Sequence, residues 1–518
     1  MITLGSNNFK LSKKYFLILI FLIGAFIRLV DLGAVPRGLY FDEVLYGLDS
    51  YSILKTGRDL YGHFLPLTFQ SSGYYPPLYS YILVPFLAVL GLSYWSVRLP
   101  AALAGAGGVL AIYFLTKIIV GKKKSPVPLI ASFLLAFSPW HIHLSRVAFL
   151  GGFGIIFMIL AVYLLLRFPD KKFSLATSAF ILAISTQIHY GYKLISPLLF
   201  VLLVILMWKK MKMDSKKIML VIAIWFAAIL LNGLAYKNYN AGFRVNELSG
   251  ISAIRITKEY LKSFSFDFLF AHGDHYPLEN PWQKRGQLQL ILLPFLIIGI
   301  ARLGKIASPT RMILLAWLLL TPIPSAIAGL GAHSVRNSPM IIPLIIIAAI
   351  GVELLIINSL RAIFWKISLA VVTAIFFLET ASYLRFYFGE YNNLYGTLWG
   401  LKEREIIQFI TSNEGNVKNI IVTDTYNLML SYFAFETEQM PKTVQDAILK
   451  PTTLNFLPAK KINKVYFIPT EEKPDKNFFT ALEGNTIFID AADYTRSALL
   501  DKVSLGNSAE FRFLYIKR

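Results

Sequence analysis

The sequence predicts a mainly α-helical, polytopic membrane protein with about eleven transmembrane helices, followed by a small C-terminal extracytoplasmic α/β domain. Three observations predict it. Hydrophobic residues make up 56% of the 518, and apolar runs long enough to cross a bilayer recur from Tyr15 to Phe388. Past Trp399 the chain becomes charged and less apolar. A chain this hydrophobic is not disordered, because disorder requires low hydrophobicity. The absence of cysteine excludes a disulfide scaffold, thiolate metal sites and a cysteine nucleophile.

A span needs about 20 apolar residues, with shorter ones tolerated. Such runs occur at 15–32, 98–120, 127–140, 147–166, 173–190, 194–208, 218–236, 288–301, 312–330, 340–357 and 367–388. The first follows Lys10, Lys13 and Lys14 as a signal peptide would, but it lacks a small-residue cleavage site and reads as a retained anchor. The run 77–92 is ambiguous, and the positive-inside rule decides it. Without it, five short inner loops hold 16 basic residues: Lys122, Lys123, Lys124, Arg167, Lys171, Lys172, Lys209, Lys210, Lys212, Lys216, Lys217, Arg302, Lys305, Arg311, Arg361 and Lys366. The three short outer loops hold Arg146, Lys193 and Arg336. Counting 77–92 as a span inverts this bias, so it reads as interfacial or re-entrant. The N-terminus is then cytoplasmic and the C-terminus extracytoplasmic, in a multi-pass plasma membrane protein.

The net charge of +21 is unevenly placed. Of 51 basic and 30 acidic residues, residues 401–518 hold 15 of each, leaving 36 and 15 in the first 400. The excess lies between apolar segments, where basic residues set topology or meet anionic lipid. Nucleic acid is therefore not an expected partner.

Two domains follow: residues 1–400, with long outer loops at 33–97 and 237–287, and residues 401–518. In the tail, strand-like runs at 418–424, 463–469, 485–490 and 511–517 alternate with helical stretches such as 402–411, the pattern of a small α/β domain. It has no GxGxxG or GxxxxGK[ST] motif, so nothing there points to a nucleotide.

The first outer loop carries the most distinctive chemistry. Asp31, Asp42, Glu43, Asp49 and Asp59 are five of the 15 acidic residues in the first 400, beside Arg37, Lys55 and Arg58. Residues 43–56 read as a helix, with Val44, Leu45, Leu48 and Tyr51 at helical spacing and Gly57 as its stop. Asp42 falls at the N-cap position, and a cap is worth about 1 kcal/mol. Glu43 suits the first turn, where an acid favours the helix dipole. Adjacent helical positions diverge, so if both act chemically they have different tasks.

All seven histidines (His63, His141, His143, His189, His272, His275 and His333) fall on the outer side of this topology. Interfacial snorkelling explains any one of them. Together they suit an outer polar cavity for an anionic ligand or a metal. HxxH at His272–His275 is a weak metal signal, because HExxH is absent.

Several motifs occur in order: Arg28, Pro36, Phe41-Asp42-Glu43, Gly57, Tyr61-Gly62, Pro66, Tyr75-Pro76-Pro77-Leu78-Tyr79 and Val97-Arg98-Leu99-Pro100. Then come Ser138-Pro139-Trp140-His141, Arg146, Gly286-Gln287-Leu288 and His333-Ser334-Val335-Arg336. This series resembles the GT-C glycosyltransferases, in particular the protein O-mannosyltransferase and lipid A aminoarabinose-transferase branch. The resemblance covers roughly the first 400 residues.

It implies an integral membrane glycosyltransferase. Such an enzyme moves a sugar from a polyprenyl-phosphate donor to a hydroxyl of an acceptor protein, lipid or glycan, on the extracytoplasmic side. The family's first-loop base maps to Asp42, with Glu43 as its neighbour. Displacement at an anomeric carbon independently needs a carboxylate to take the acceptor proton and cations to hold the leaving phosphate. Arg58, Arg98, Arg146, Lys193 and Arg336 are the outer-side cations available, with Arg336 and Arg98 favoured because they sit at span ends. Helix-end anchoring is the alternative role for each. Some relatives hold a divalent metal between a first-loop Glu and a second-loop His, which maps to Glu43 with His272 or His275.

A transporter or flippase for a lipid-linked sugar is the competing class. Transporters show repeats, broken helices and ionisable groups at the midplane, whereas here the mid-span regions are almost free of charge. An outer-leaflet glycan polymerase or ligase shares the donor and is not separated from a transferase by sequence.

Overall fold

In the computed structural model, the described residues are 13–122, 125–167, 172–210, 215–239, 252–282, 285–359, 362–455, 457–471, 486–489, 491 and 511–514. Lys10, Lys123, Lys124, Lys171, Lys212 and Arg361, and the outer ends of the last two expected strands, lie outside them. The chain forms two compact units. One comprises residues 1–32 and 98–391, the other residues 33–97 and 392–518.

The first unit is a helical bundle. Among the described residues, seven helices are long and apolar enough to cross a membrane, or eight if the bent pair Val127–Ala136 and Pro139–Arg146 is one span. The expected count of eleven is therefore not reproduced by length alone. Helices do stand at the remaining expected positions, including Lys13–Leu29, Lys172–Ser185 and Leu293–Arg302, but each is short. At 1.5 Å per residue, the 14 residues of Lys172–Ser185 cover about 20 Å of a core about 30 Å thick.

Burial sorts the helices by environment. In Ser338–Ser359, 78% of the most apolar window is buried, against 11% in Ser215–Lys237. The latter exposes Ile222, Phe226, Ile229 and Leu230, an apolar surface that water does not tolerate over such a length and lipid does. The chain is a multi-pass membrane protein. The central helix Ile341–Ser359 packs closely on Leu293–Arg302 through two glycines. A Cβ on Gly299 would meet the carbonyl of Ile347, and one on Gly351 the carbonyl of Phe295, each at 2.0 Å. Small residues let helix backbones approach where lipid supplies no hydrophobic drive.

The second unit joins residues 33–97 to the tail. Its sheet runs β2-β3-β4-β1-β5-β6, with β1 Asn419–Asp424, β2 Thr452–Leu454, β3 Leu457–Ile462, β4 Val465–Pro469, β5 Thr486–Ile489 and β6 Phe511–Leu514. Strands β4, β1, β5 and β6 are parallel and β2–β3–β4 antiparallel. β1 is buried along nearly all its length, as a parallel strand covered on both faces should be. Four strands stand where the sequence expects them. β2 and β3 are not among the strands the sequence pattern predicts; β3 carries Pro458, and β2 is only three residues long.

Residues 33–97, grouped from sequence with the membrane part, fold onto the tail. The Tyr432 hydroxyl donates to Leu39 O at 2.7 Å, and Gln445 Nε2 donates to Ser52 Oγ at 3.1 Å and Asp59 O at 2.8 Å. Asn392 exchanges hydrogen bonds with Arg37 N and Ala34 O. These partners are up to 393 residues apart in sequence, so no local pattern announces them. Segment 77–92 forms a 13-residue helix, Leu78–Leu90, too short for a span, that packs Tyr79, Leu83 and Leu87 inward.

Candidate functional site

The helix Phe41–Thr56 ends as expected, with Gly57 in the left-handed region at φ 69° and its N–H bonded to Ile53 O. Its start is a correction. The N-cap is Tyr40, so Asp42 is the second helical residue and Glu43 the third. Glu43 is fully buried, and its Oε2 accepts the Tyr40 N–H at 3.1 Å, one half of a capping box. Asp42 is half-buried at the helix start.

The other acids of this loop build it. Asp49 is fully buried; its Oδ1 accepts the Leu60 N–H at 3.1 Å, and its Oδ2 accepts from the Tyr75 hydroxyl at 2.9 Å and from Ser71 Oγ. Burial pushes its carboxyl up to about 7, a rise opposed by Ser71 and reinforced by the Asp59 charge. Asp59 Oδ1 accepts the N–H groups of Tyr61 and His63, and its Oδ2 lies 3.0 Å from His63 Nδ1. Arg58 is exposed, donating to Gly62 O at 2.8 Å over the Phe64 ring.

In the helical unit, Arg98 and Arg146 are fully buried. Arg98 donates to Leu32 O at 3.3 Å. Arg146 donates to Ile27 O at 2.7 Å and Asp31 O at 3.2 Å, with its guanidinium 4.6 Å from the Phe388 ring centre. Both cations thus satisfy carbonyls at the end of helix Lys13–Leu29. Lys193 is half-buried over the Tyr190 ring, and Arg336 is half-buried beside the buried Val335 and Asn337.

Six of the seven histidines have defined partners. His63 pairs with Asp59, His141 with Arg28, and His143 with Leu278 O and the Tyr387 hydroxyl. His189 Nδ1 caps helix Tyr190–Met207, His272 Nδ1 lies 2.5 Å from Asp267, and His333 meets Glu279. His275 is exposed.

Glu43 fits a metal poorly, since its buried carboxylate closes the helix start, and His272 is taken by Asp267. A different group suits a cation. Ligand atoms of Asp274, Glu279 and His333 lie within 4.8 Å of one another, a mixed oxygen and nitrogen set compatible with a divalent ion. As it stands, the group joins two loops. His333 Nδ1 lies 2.8 Å from Glu279 Oε2, and Asp274 Oδ2 accepts the Ser334 N–H at 2.6 Å. Burial raises the Glu279 carboxyl above its ordinary value, partly offset by His333. Sequence reasoning named His333, noted Asp274 only within the polar run 272–275 and missed Glu279, whose only signal was its place in the second long loop.

Residues 75–233 match the family of dolichyl-phosphate-mannose-protein mannosyltransferases. The Bacillus subtilis protein YkcB, named as a candidate mannosyltransferase, is 32% identical over 109 residues, 20% of this chain and 15% of that relative. The chain therefore spans only a small part of that relative's length. ArnT from Cupriavidus metallidurans bound to undecaprenyl phosphate superposes with a TM-score of 0.53 at 12% identity, over 84% of this chain and 88% of that one. The Archaeoglobus fulgidus oligosaccharyltransferase in its apo form gives 0.54 at 12% identity, over 83% and 64%. At these identities the likeness is one of fold, shared with both of these solved structures.

Proposed function

We propose that the protein is a membrane glycosyltransferase that moves a sugar from a polyprenyl-phosphate donor to an acceptor hydroxyl on the extracytoplasmic side. The observation that carries this reading is the place of Asp42. Of the acids in residues 33–97, Glu43, Asp49 and Asp59 are fully buried in hydrogen bonds that build the loop, while Asp42 stands half-buried on a helix start. The match to a mannosyltransferase family over residues 75–233 supports the reaction class.

In this reading Asp42 takes the proton from the acceptor hydroxyl as that oxygen attacks the anomeric carbon and the lipid phosphate departs. Arg336 and Lys193, both half-buried, are the phosphate ligands in this reading, and the fully buried Arg98 and Arg146 are given the part of helix-end ties. Arg58 is exposed but already turned to Gly62. An apolar cavity of about 370 Å3, lined by Phe16, Ile20, Phe133, Phe295 and Phe376, suits a polyprenyl chain. A divalent ion held by Asp274, Glu279 and His333 would add positive charge for the same phosphate.

The test is transfer from radiolabelled polyprenyl-phosphate sugar in membranes containing the protein. A new covalent product on an acceptor supports the reading. Label that crosses the bilayer without a new bond would make the protein a flippase.

A further inference from the structure

We propose that the domain built on the six-stranded sheet holds a binding pocket for one neutral sugar ring, at the carboxyl ends of β1 and β4. β1 and β4 are parallel neighbours whose carboxyl ends stand in register, Asp424 opposite Pro469, and the chain leaves the sheet from both at the same edge.

A cavity of about 290 Å3 lies there, lined by Thr425, Tyr426, Asn427, Lys460 and Glu471 among others. Small-molecule sites run from about 300 to 1,000 Å3, so this volume suits a single ring better than a nucleotide. The lining offers both signs of charge, an amide and a hydroxyl. Thr425 Oγ1 lies 2.7 Å from Thr470 Oγ1, and Lys460 Nζ contacts Asn427 Oδ1. Sugar hydroxyls both donate and accept, and such a mixed set answers both roles. The Glu471 carboxylate argues against phosphate.

Tyr426 supplies the apolar face. Its side chain is 91% exposed, on a backbone held at φ 53° with Asn427 at φ 63°. A non-glycine residue in this region is costly and persists where its surroundings enforce it. The enforcing contact is visible: Asp424, at the end of β1, accepts the Met429 N–H at 2.9 Å and the Leu430 N–H at 3.4 Å, fixing the turn between them. The fold thus holds an aromatic ring in solvent at the mouth of a polar pocket, the geometry that stacks on the C–H face of a pyranose.

The test is saturation-transfer-difference NMR on the full chain in detergent. The probes are methyl α-D-mannopyranoside, methyl β-D-glucopyranoside and methyl N-acetyl-β-D-glucosaminide. Saturation of the ring protons of at least one glycoside is expected. Tyr426→Ala should weaken it about tenfold with unchanged thermal unfolding, because the ring makes little of the core. Lys460→Met should weaken it too, and Asp42→Asn should leave it intact. No saturation from any probe, or saturation unaffected by Tyr426→Ala, overturns the proposal. Loss of transfer activity alone bears on the proposed reaction and not on this pocket.

Discussion

Arg28 donates to His141 Nδ1 at 2.8 Å, and both side chains are buried inside the helical bundle. The same guanidinium donates to the carbonyls of Gly24, Leu135 and Ala136 at 2.8 to 3.1 Å. Helix Val127–Ala136 ends here, and its last carbonyls need donors in a region where water is scarce. Arg28 and His141 thus tie helix Lys13–Leu29 to the end of helix Val127–Ala136.

Arg28→Ala should therefore destabilise the protein by at least about 3 kcal/mol, since several buried acceptors lose their donor at once. Thermal unfolding in detergent measures it. A transition indistinguishable from the parent's would show that the tie is dispensable.

Asp42→Asn should bind the lipid-linked donor normally and lose turnover by about 10²–10⁴-fold, the usual contribution of a general base. Glu43→Ala should instead cost about 1 kcal/mol of stability through the lost cap. Single-turnover transfer and thermal unfolding on the two variants separate the roles. Full turnover by Asp42→Asn removes it as the base.

Arg336→Ala should weaken donor binding without changing the unfolding transition, whereas Arg146→Ala should unfold more readily because three groups lose a buried cation. Donor titration and calorimetry on both variants decide this. Unchanged donor affinity in Arg336→Ala would leave that residue as a helix-end anchor.

Burial raises the Asp49 carboxyl from 3.8 to about 7. Between those values the folded chain keeps a proton that the unfolded chain has released. Stability from this group is complete below about pH 4 and lost as pH rises through about 7. The expected slope reaches about 1.4 kcal/mol per pH unit over that window. Asp49→Asn, which cannot ionise, should flatten it; an unchanged pH profile would assign the slope to other groups.

Purified protein stripped with chelator and dialysed against Zn²⁺ or Mn²⁺ should retain about one equivalent by elemental analysis. A Glu279→Gln, His333→Ala double variant should retain none. Equal metal in both would make the Asp274–Glu279–His333 group an ion-pair link between loops.

The periodicity of apolar residues located the helices because a lipid-facing surface must be apolar along its length, whatever lies behind it. It placed helix Phe41–Thr56 and its Gly57 stop for a similar reason, since spacing and a left-handed stop are local properties. Asp42 was off by two positions at the cap, because Tyr40 and not Asp42 takes the extended backbone. The burial of Arg98, Arg146 and His141 was not legible, because a buried tie and an exposed ligand use the same residue types.

The sequence by itself determined a basic, cysteine-free membrane chain whose excess charge lies in its first 400 residues, with acids gathered between residues 31 and 59. These follow from composition and short-range spacing. Only the tertiary structure decided that residues 33–97 fold with the tail, through Tyr432, Gln445 and Asn392. Only the structure, likewise, fully buried Glu43, Asp49 and Asp59 while leaving Asp42 half-buried. Burial and hydrogen-bond partners arise between residues hundreds of positions apart, and the free energy of an ionisable group is set by what surrounds it rather than by its neighbours in sequence.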